Sequence, residues 1–250
     1  MEHDADIISK IRGAMMYPLI VLVVIIGVVA FLMLTIMPQV KNLYISLHQN
    51  LPWITAMLVG FTDFVVRFWW LVGLILIGLV VMFIQWRKTN NGRRALDNFK
   101  LNVPLFSGLF RKLYMARFAR TAQTLMASGV SMLEVLKICA DAVNNVVVKD
   151  EILRAAGKVK NGKPLSEGLT GETYILPFVP QMIKIGEQSG GIDAMLEKVA
   201  TYYENEVDAA IASISTAIEP VLMVLLAGVA GLMVGAILLP IYGLANNVGV

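Results

Sequence analysis

Three stretches of this chain are apolar over about the length of a membrane-spanning helix. They are residues 17–37, 67–86 and 218–242, and their only charged side chains, Arg67 and Glu219, lie within the first two positions of their stretches. A helix needs about 20 apolar residues to cross about 30 Å of hydrocarbon. The pattern therefore predicts three transmembrane helices, and we expect Arg67 to reach the headgroups from the edge of the second.

The basic residues that flank these stretches are distributed unevenly. Lys10 and Arg12 precede the first stretch, Lys41 is the only basic residue of the segment 38–66, and no basic residue follows Pro220. Nine basic residues follow the second stretch closely: Arg87, Lys88, Arg93, Arg94, Lys100, Arg111, Lys112, Arg117 and Arg120. Lys and Arg near the ends of spans stay preferentially in the cytoplasm.

This bias predicts the topology of the chain. We expect the stub 1–16 and the long segment 87–217 in the cytoplasm. We expect the loop 38–66 and the tail 243–250 on the opposite side of the membrane. An odd number of crossings agrees with termini on opposite sides.

The segment 87–217 is long enough to form a globular domain, and its hydrophobic spacing is helical. Apolar residues recur at intervals of three and four over 110–125, 147–159 and 192–211, which is the pattern of a buried helix face. We therefore predict a bundle of about six helices. The expected fold class is all-α: a polytopic membrane protein with three transmembrane helices and one cytoplasmic helical bundle.

Polar residues and glycines predict where the bundle helices begin and end. Ser131 and Glu134 have the spacing of a capping box, in which each side chain satisfies a free backbone N–H. Asn144-Asn145 and Gly162 are expected to end the next two helices. The helix that begins near Ile192 is expected to run straight into the third span.

The composition argues against several functional classes of protein. Of the 250 residues, 57% are apolar and 16% are charged, against about 25% charged in a soluble domain, so a water-soluble enzyme is disfavoured. The net charge is +3 and basic residues do not alternate with aromatic ones, so we expect no nucleic-acid partner. The lone cysteine, Cys139, excludes an internal disulfide, and His3 and His48 are too far apart to favour a zinc site. We identify no catalytic set of residues and expect no cofactor and no enzymatic activity.

The two ends of the chain show an internal repeat, in which an acidic triplet and two prolines recur. A shift of 202 residues places Glu2, Asp4, Asp6, Pro18 and Pro38 on Glu204, Glu206, Asp208, Pro220 and Pro240. The order therefore resembles the tail of a first repeat, a linking span and a complete second repeat. We expect residues 1–16 to be the stub of a first cytoplasmic domain that is missing or separately encoded.

The glycine-rich segment 186–191 admits two interpretations. A phosphate-binding loop would continue with Lys-Ser or Lys-Thr, whereas Ile192-Asp193 follows here, so nucleotide binding is disfavoured. One interpretation is a tight turn in which Glu187 accepts hydrogen bonds from backbone N–H groups at the start of the next helix. The other is a corner on which a partner protein docks.

The third span contains two features that fit contact with another membrane helix. Glu219 and Pro220 are either boundary residues near a helix start or a polar contact to a further span. Gly228, Gly231 and Gly235 share one helix face, which lets another helix approach closely. We expect that helix to be another span of this chain or of a second copy, and we therefore expect a homo-oligomer.

Three ordered blocks of the sequence carry a resemblance to a known family. They are Lys10–Pro18 with the apolar run to Pro38, then Arg117–Thr121 with Leu125 and Ser128–Val130, then Gly186–Gly190 with Met195-Leu196, Val199-Ala200, Tyr202-Tyr203 and Glu219-Pro220 to Pro240. These blocks resemble the type II secretion system F family, the inner-membrane platform proteins of type II secretion systems and type IV pili. Family members usually carry two cytoplasmic bundles, whereas this chain shows one.

The resemblance implies a non-enzymatic, multi-pass platform in the bacterial inner membrane, with a cytoplasmic N-terminus and a periplasmic C-terminus. It implies that a cytoplasmic assembly ATPase, pilin or pseudopilin subunits and other inner-membrane assembly proteins are its partners. ATP hydrolysis would rotate or shift the platform and help to lift pilin subunits out of the bilayer. Under this resemblance, the candidate docking residues are Arg111, Arg117, Arg120, Glu187 and Gly190. The candidate membrane-helix contacts are Glu219, Pro220, Gly228, Gly231 and Gly235.

Three other classes of membrane protein are alternatives to this family. A subunit of a membrane transporter would need polar or broken spans at the midplane, and the three spans are nearly uniform. A membrane-bound enzyme lacks a set of catalytic residues. A tight-adherence pilus platform has one bundle but usually a different arrangement of spans, and it is the nearest alternative.

Overall fold

The computed structural model of this chain describes residues 2–46, 53–104 and 106–247. Over these residues the chain forms helices joined by turns: α1 Glu2–Ser46, α2 Trp53–Arg67, α3 Trp69–Lys88, α4 Asn90–Asn102, α5 Ser107–Ala127, α6 Met132–Ala142, α7 Val146–Lys160, α8 Leu165–Leu169, α9 Phe178–Ser189 and α10 Ile192–Asn247. The fold is all-α, as the hydrophobic spacing predicts.

The chain divides into two compact units, which we name the bundle unit and the membrane unit. The bundle unit comprises the residues up to Arg12 and Ile84–Ile214. The membrane unit comprises Gly13–Phe83 and the residues from Ser215 onward. The helices α4 to α9 and the first part of α10 build the bundle, in agreement with the prediction of about six helices.

Three helices within the described residues are long and apolar enough to cross a membrane. They contain the segments Met15–Ser46, Trp69–Lys88 and Ile192–Gly235, with mean hydropathies of 3.3, 2.2 and 2.2 in their most apolar windows. The side chains of the most apolar windows of the first two are not buried within the protein, as expected for helices whose solvent is lipid. The three predicted transmembrane helices are therefore present in the fold.

The segment 38–66 differs from the predicted loop, because it is helical over most of its length. Helix α1 continues through Pro38 to Ser46, and α2 begins at Trp53. The first span was predicted from the uncharged apolar run, which ends before Pro38, and a proline removes one backbone hydrogen bond. Membrane helices tolerate prolines because neighbouring groups satisfy the freed carbonyl, and the apolar pattern of α1 continues beyond Pro38. His48 lies outside the described residues.

The core of the bundle unit forms around α5. Phe118 and Met115 are fully buried there, and they belong to one cluster with Leu136 of α6, Ile152 of α7 and Leu196 of α10. Fully burying a large apolar side chain stabilises a fold by about 1.5–3 kcal/mol. The residues that recur at intervals of three and four along α5, α7 and α10 are those that point into this core, so the predicted faces are confirmed.

The helix boundaries in the bundle are close to the predicted ones, but the capping differs. Ser131 occupies the N-cap of α6, yet its side chain makes no capping hydrogen bond among the described residues, so the predicted capping box is wrong. The backbone N–H of Glu134 bonds to the Ser131 carbonyl instead. Asn145 is the N-cap that the sequence analysis missed: its side-chain oxygen accepts hydrogen bonds from the N–H groups of Val147 (2.9 Å) and Val148 (3.1 Å), which adds a capping contribution of about 1 kcal/mol.

Helix α10 is continuous from Ile192 to Asn247, so the expected run of the last bundle helix into the third span is confirmed. Glu219 and Pro220 therefore lie in the interior of a helix, and their interpretation as residues near a helix start is wrong. The predicted tail 243–250 is helical up to Asn247.

Candidate docking and membrane-contact surfaces

The glycine-rich segment 186–191 forms the corner between α9 and α10. A Cβ on Gly186 would lie 2.7 Å from the Cα of Ile192, so the two helices approach each other too closely for any larger residue. Gly190 ends α9 with φ of 75°, in the left-handed region that favours glycine. The N–H of Gly191 donates to the Gly186 carbonyl over 3.0 Å. The predicted tight turn is therefore present.

The carboxylate of Glu187 binds a different helix from the one expected. Its Oε1 accepts a hydrogen bond from the backbone N–H of Ser166 (3.2 Å), and its Oε2 accepts one from the Ser166 hydroxyl. Ser166 lies in the first turn of α8, so Glu187 satisfies an otherwise free N–H at the start of α8 rather than of α10. The corner between α9 and α10 is thereby tied to α8, and Glu187 is half-buried.

The arginines of α5 make contacts within the bundle unit. Arg120 forms a bidentate ion pair with Glu204 of α10. Arg111 donates from Nε and Nη2 to the Leu101 carbonyl, over 3.2 and 3.0 Å, and its guanidinium lies 5.2 Å from the ring centre of Tyr174. These contacts hold the C-terminal turn of α4 and the first half of α10 against α5.

Two further basic residues lie on α5, and one of them, Arg117, belongs to the predicted docking set. Arg117 is half-buried and makes a contact within the protein. Lys112 of α5 pairs with Glu206 of α10 over 2.6 Å. Of the predicted docking residues, Arg111, Arg117 and Arg120 thus lie on α5, whereas Glu187 and Gly190 lie at the α9–α10 corner.

A buried carboxylate on α7 was missed by the sequence analysis. Glu151 is 3% exposed and accepts hydrogen bonds from the backbone N–H groups of Thr173 (3.1 Å) and Tyr174 (3.0 Å). Burial raises the pKa of Glu151, although these N–H groups and Arg154 oppose the shift. The available signal was its position on the same helix face as the buried Ile152 and its neighbours, where a carboxylate needs a tertiary partner.

The loop beside Glu151 carries a second carboxylate in an ion-pair network. Glu172 accepts hydrogen bonds from Arg154 and from Lys158 (3.1 Å) of α7. Burial alone would raise the pKa of Glu172, but the two cations outweigh it and lower the pKa. The network fixes the segment between α8 and α9 on α7. Among the described residues it makes no cluster of metal ligands.

The predicted contact residues of the third span lie on the surface of the membrane unit. Glu219, Pro220, Gly228 and Gly231 are exposed, and Gly235 is half-exposed. Within the part of the chain that the structure describes, a Cβ added to any of the three glycines would meet no atom within 4 Å. The glycine face of α10 is therefore open to a further helix.

A neighbouring face of α10 lines a groove in the membrane unit. The groove has a volume of about 510 Å³ and is lined almost wholly by apolar side chains. Its walls are formed by Ile25, Val29 and Met33 of α1, by Phe61, Thr62 and Val65 of α2, and by Leu225 and Val229 of α10, with further apolar residues of α1. Helix α2 also packs on α1 through Met37 and Val59.

These features define a class: a polytopic helical membrane protein with one helical bundle, whose helices are joined by internal hydrogen bonds and ion pairs. The family model described as type II secretion system protein F matches residues 118–240. The chain belongs to the type II secretion system F family.

Characterised relatives match over nearly the whole of this chain. The type IV pilus assembly protein PilC of Thermus thermophilus is 36% identical over 100% of this chain and 62% of its own length. PilC of Myxococcus xanthus is 38% identical over 99% of this chain and 59% of its own length. The type II secretion system protein F of Pseudomonas aeruginosa is 35% identical over 96% of this chain and 60% of its own length. The chain thus spans about three fifths of the length of these relatives.

Family membership confirms the resemblance stated from the three sequence blocks. It supports a general role in the machinery of pilus assembly or protein secretion, and the three apolar helices fit an inner-membrane protein. The relatives are named for assembly and secretion rather than for a catalysed reaction.

Proposed function

We propose that this chain is a non-enzymatic inner-membrane platform that couples a cytoplasmic assembly ATPase to the assembly of pilin or pseudopilin subunits. In this proposal residues 1–16 and 87–217 face the cytoplasm, and the C-terminus faces the periplasm. The basic residues between 87 and 120 support this orientation. The names of the relatives support pilus assembly and type II secretion equally.

The observation that carries the proposal is the continuity of α10. Its first part belongs to the bundle unit and its second part to the membrane unit, with no interruption between Ile192 and Asn247. A hydrogen-bonded helix is stiff along its axis. A force applied to the bundle by an ATPase would therefore reach the third span directly. A flexible linker at the same place would absorb it.

An insertion in α10 tests this coupling. A run of seven glycines inserted between Ala217 and Ile218 would add a flexible tether with as many residues as about two helical turns. We expect cells that carry this variant as their only copy to lose pilus assembly or secretion, while the protein remains in the membrane at normal amounts. Seven alanines at the same place are the matched control, because they add the same length but keep the helix and nearly the same face orientation.

The two insertions separate coupling from disturbance of the fold. We expect the alanine variant to retain a substantial part of the assembly activity. Equal activity of the glycine variant and the wild type would refute coupling through α10. Equal loss in both variants would show that spacing, rather than stiffness, is critical.

We further propose that the ATPase docks on the bundle near Arg111, Arg117, Arg120, Glu187 and Gly190. Four of these side chains, including Arg117, make contacts within the protein, so the test must separate docking from stability. Copurification of the ATPase with Arg117→Ala is therefore compared with the melting temperature of the same variant. Lost copurification at an unchanged melting temperature supports docking at this face, and retained copurification removes Arg117 from it.

The glycine face of α10 is proposed to contact another membrane helix, and a second copy of the chain is the first partner to test. A cysteine in place of Gly231 reports a close approach, because two cysteines form a disulfide only when their Cα atoms lie within about 7 Å. We expect oxidation in membranes to give a disulfide-linked dimer from Gly231→Cys. Met223→Cys, at an exposed position on a different face, is the matched control, and equal dimer yields from both would contradict the proposal.

A further inference from the structure

Helix α2 packs beside the middle of two membrane-spanning helices. Phe61, Thr62 and Val65 line one groove together with Ile25 and Val29 of α1 and with residues of α10. Residues 25–33 are central in the apolar stretch 17–37, and Leu225 and Val229 are well inside the stretch 218–242. All the α1 residues that line this groove, from Leu22 to Leu34, belong to the apolar stretch 17–37. The C-terminal half of α2 therefore lies at the depth of the hydrocarbon rather than in the aqueous loop that the sequence predicts.

The face of α2 that points to α1 is buried within the protein. Thr55, Val59 and Thr62 recur at intervals of four and three and are at most 7% exposed. The Thr62 hydroxyl donates to the sulfur of Met33 over 3.4 Å. A polar group in a membrane needs such a partner, and α1 supplies it for Thr62, whereas the buried Thr55 hydroxyl has none among the described residues.

The two charged side chains of α2, Asp63 and Arg67, make contacts of the kind that charged residues make inside membranes. Asp63 forms an ion pair with Lys41 of α1 over 2.6 Å. The guanidinium of Arg67 lies 5.9 Å from the ring centre of Phe68. Ionisable residues at membrane depth pair with one another or reach towards the interface, so neither charge excludes α2 from the bilayer.

The exposed side of α2 is a row of large apolar side chains, of which Phe61 also lines the groove. Met57, Phe61 and Phe64 recur at intervals of four and three, and they are 72%, 62% and 50% exposed. This row adjoins the exposed apolar surface of α1 at Leu34, which lines the same groove as Phe61 and is 55% exposed. A contiguous apolar surface of this kind marks a membrane or protein contact. Because this row adjoins the lipid-facing surface of α1, we identify lipid as its contact.

We infer that α2 is a fourth membrane-embedded helix, which lies within the bilayer beside α1 and whose outer face, Met57, Phe61 and Phe64, contacts lipid acyl chains. Its 15 residues extend about 22 Å, which is too short to cross the hydrocarbon alone. The inference does not depend on which side of the membrane faces the cytoplasm. It is therefore independent of the proposed coupling to an ATPase.

Nitroxide labels on the full chain in phospholipid vesicles test this inference. Single cysteines replace Met57, Phe61 and Phe64 in turn, and each label is exposed to oxygen, which concentrates in hydrocarbon, and to a water-soluble nickel chelate. Leu76→Cys on the exposed face of α3 is the lipid reference, and Lys160→Cys on the exposed end of α7 is the water reference. Cys139 is fully buried, and unsubstituted protein treated with the same label measures its background. All five substituted positions are exposed, so melting temperatures near that of the wild type are expected.

The labels on α2 are expected to behave like the label at Leu76. Their ratio of oxygen to nickel collision rates should exceed the ratio at Lys160 several-fold. A ratio equal to that at Lys160 would show that α2 projects into water and would overturn the inference. Immobilised labels that neither reagent reaches would show that protein, such as a second copy, covers this face, and would overturn it equally.

Discussion

Arg120 of α5 and Glu204 of α10 are joined by two parallel hydrogen bonds. The Nε–Oε1 distance is 2.8 Å and the Nη2–Oε2 distance is 2.6 Å, and the side chains are only 28% and 20% exposed. The hydrogen bond to Glu204 raises the pKa of Arg120 further above its ordinary value. The planar fork of arginine matches a carboxylate in a way that lysine does not, so this pair fixes the orientation of α10 on α5 as well as holding it there.

Replacement of Arg120 by alanine should destabilise the bundle. The Glu204 carboxylate would remain partly buried without its partner, and we expect a loss of about 2 kcal/mol in the free energy of unfolding. Urea unfolding of the full chain in detergent, followed by circular dichroism, measures the loss. Lys163→Ala is the matched control: it breaks the pair with Glu167, in which both side chains are 56% exposed, and should cost less than about 1 kcal/mol.

A charge exchange completes this test. The double variant Arg120→Glu with Glu204→Arg should be more stable than the sum of the two single effects predicts, because opposite charges again face each other. Strictly additive single effects would contradict a direct energetic role for the pair.

The bond between Glu187 and Ser166 leads to a second prediction. If Glu187 only docked a partner, charge reversal at this position would abolish assembly without loss of the folded protein. The structure changes this expectation, since Glu187→Lys would place a cation against the free N–H at the start of α8. We expect Glu187→Lys to lower the melting temperature, and we expect Glu187→Gln to have a smaller effect because its amide oxygen still accepts one hydrogen bond.

A double-mutant cycle separates the two roles of Glu187. Glu187→Gln and Ser166→Ala should show a coupling energy of about 1 kcal/mol, which is typical of groups in direct contact. If the stability effects are instead independent and assembly is lost in Glu187→Gln alone, the docking role outweighs the structural one.

The sequence predicts those parts of the fold that depend on local patterns. The faces that bury Phe118, Ile152 and Leu196 follow from intervals of three and four, because one helix side must leave water. The turn at Gly190 follows from the residue type that a left-handed helix end requires.

Other features depend on partners far away in the chain. Glu187 is 21 residues from Ser166 and Glu151 is 22 residues from Thr173, and nothing local indicates which groups meet. Helix α4 is mostly polar, so the hydrophobic pattern does not predict it. A buried carboxylate holds this helix in place: Asp97 accepts a hydrogen bond from the N–H of Val146 over 3.0 Å. The length of α1 was underestimated because Pro38 is a helix breaker in water but not in a membrane.

Gly92 provides a third prediction, at the turn between α3 and α4. It is buried, and a Cβ at this position would lie 1.9 Å from the carbonyl oxygen of Trp86. That oxygen already accepts a hydrogen bond from the N–H of Thr89, so the backbone cannot move aside without breaking the turn. We expect Gly92→Ala to destabilise the chain by about 3 kcal/mol and to reduce its amount in the membrane.

Gly157 is the matched control for this substitution. It lies inside α7, and no atom of the described residues would lie within 4 Å of a Cβ there. Gly157→Ala should stabilise the bundle by about 0.5–1 kcal/mol, because alanine favours the helix. Equal unfolding free energies for Gly92→Ala and the wild type would contradict the close approach of α4 to the end of α3.

The thiol of Cys139 leads to a fourth prediction, on the pH dependence of stability. The side chain is fully buried, and burial raises its pKa from 9.0 to about 12. In the unfolded chain the thiol loses its proton near pH 9, whereas the folded chain keeps it until about pH 12. The unfolded state therefore binds fewer protons in this window, and the free energy of unfolding should fall as the pH rises through it.

Two measurements on Cys139 check this account. Urea unfolding between pH 8 and about pH 11 should show a steeper loss of stability for the wild type than for Cys139→Ala, because other titrating groups contribute equally to both. Since the thiolate is the reactive form, a maleimide at pH 8 should label Cys139 only after unfolding, whereas the exposed cysteine of Lys160→Cys should react in the folded protein. Parallel pH profiles for wild type and Cys139→Ala, or rapid labelling of Cys139 in the folded chain, would show that the thiol is accessible to water and that the core around α5 and α6 opens under native conditions.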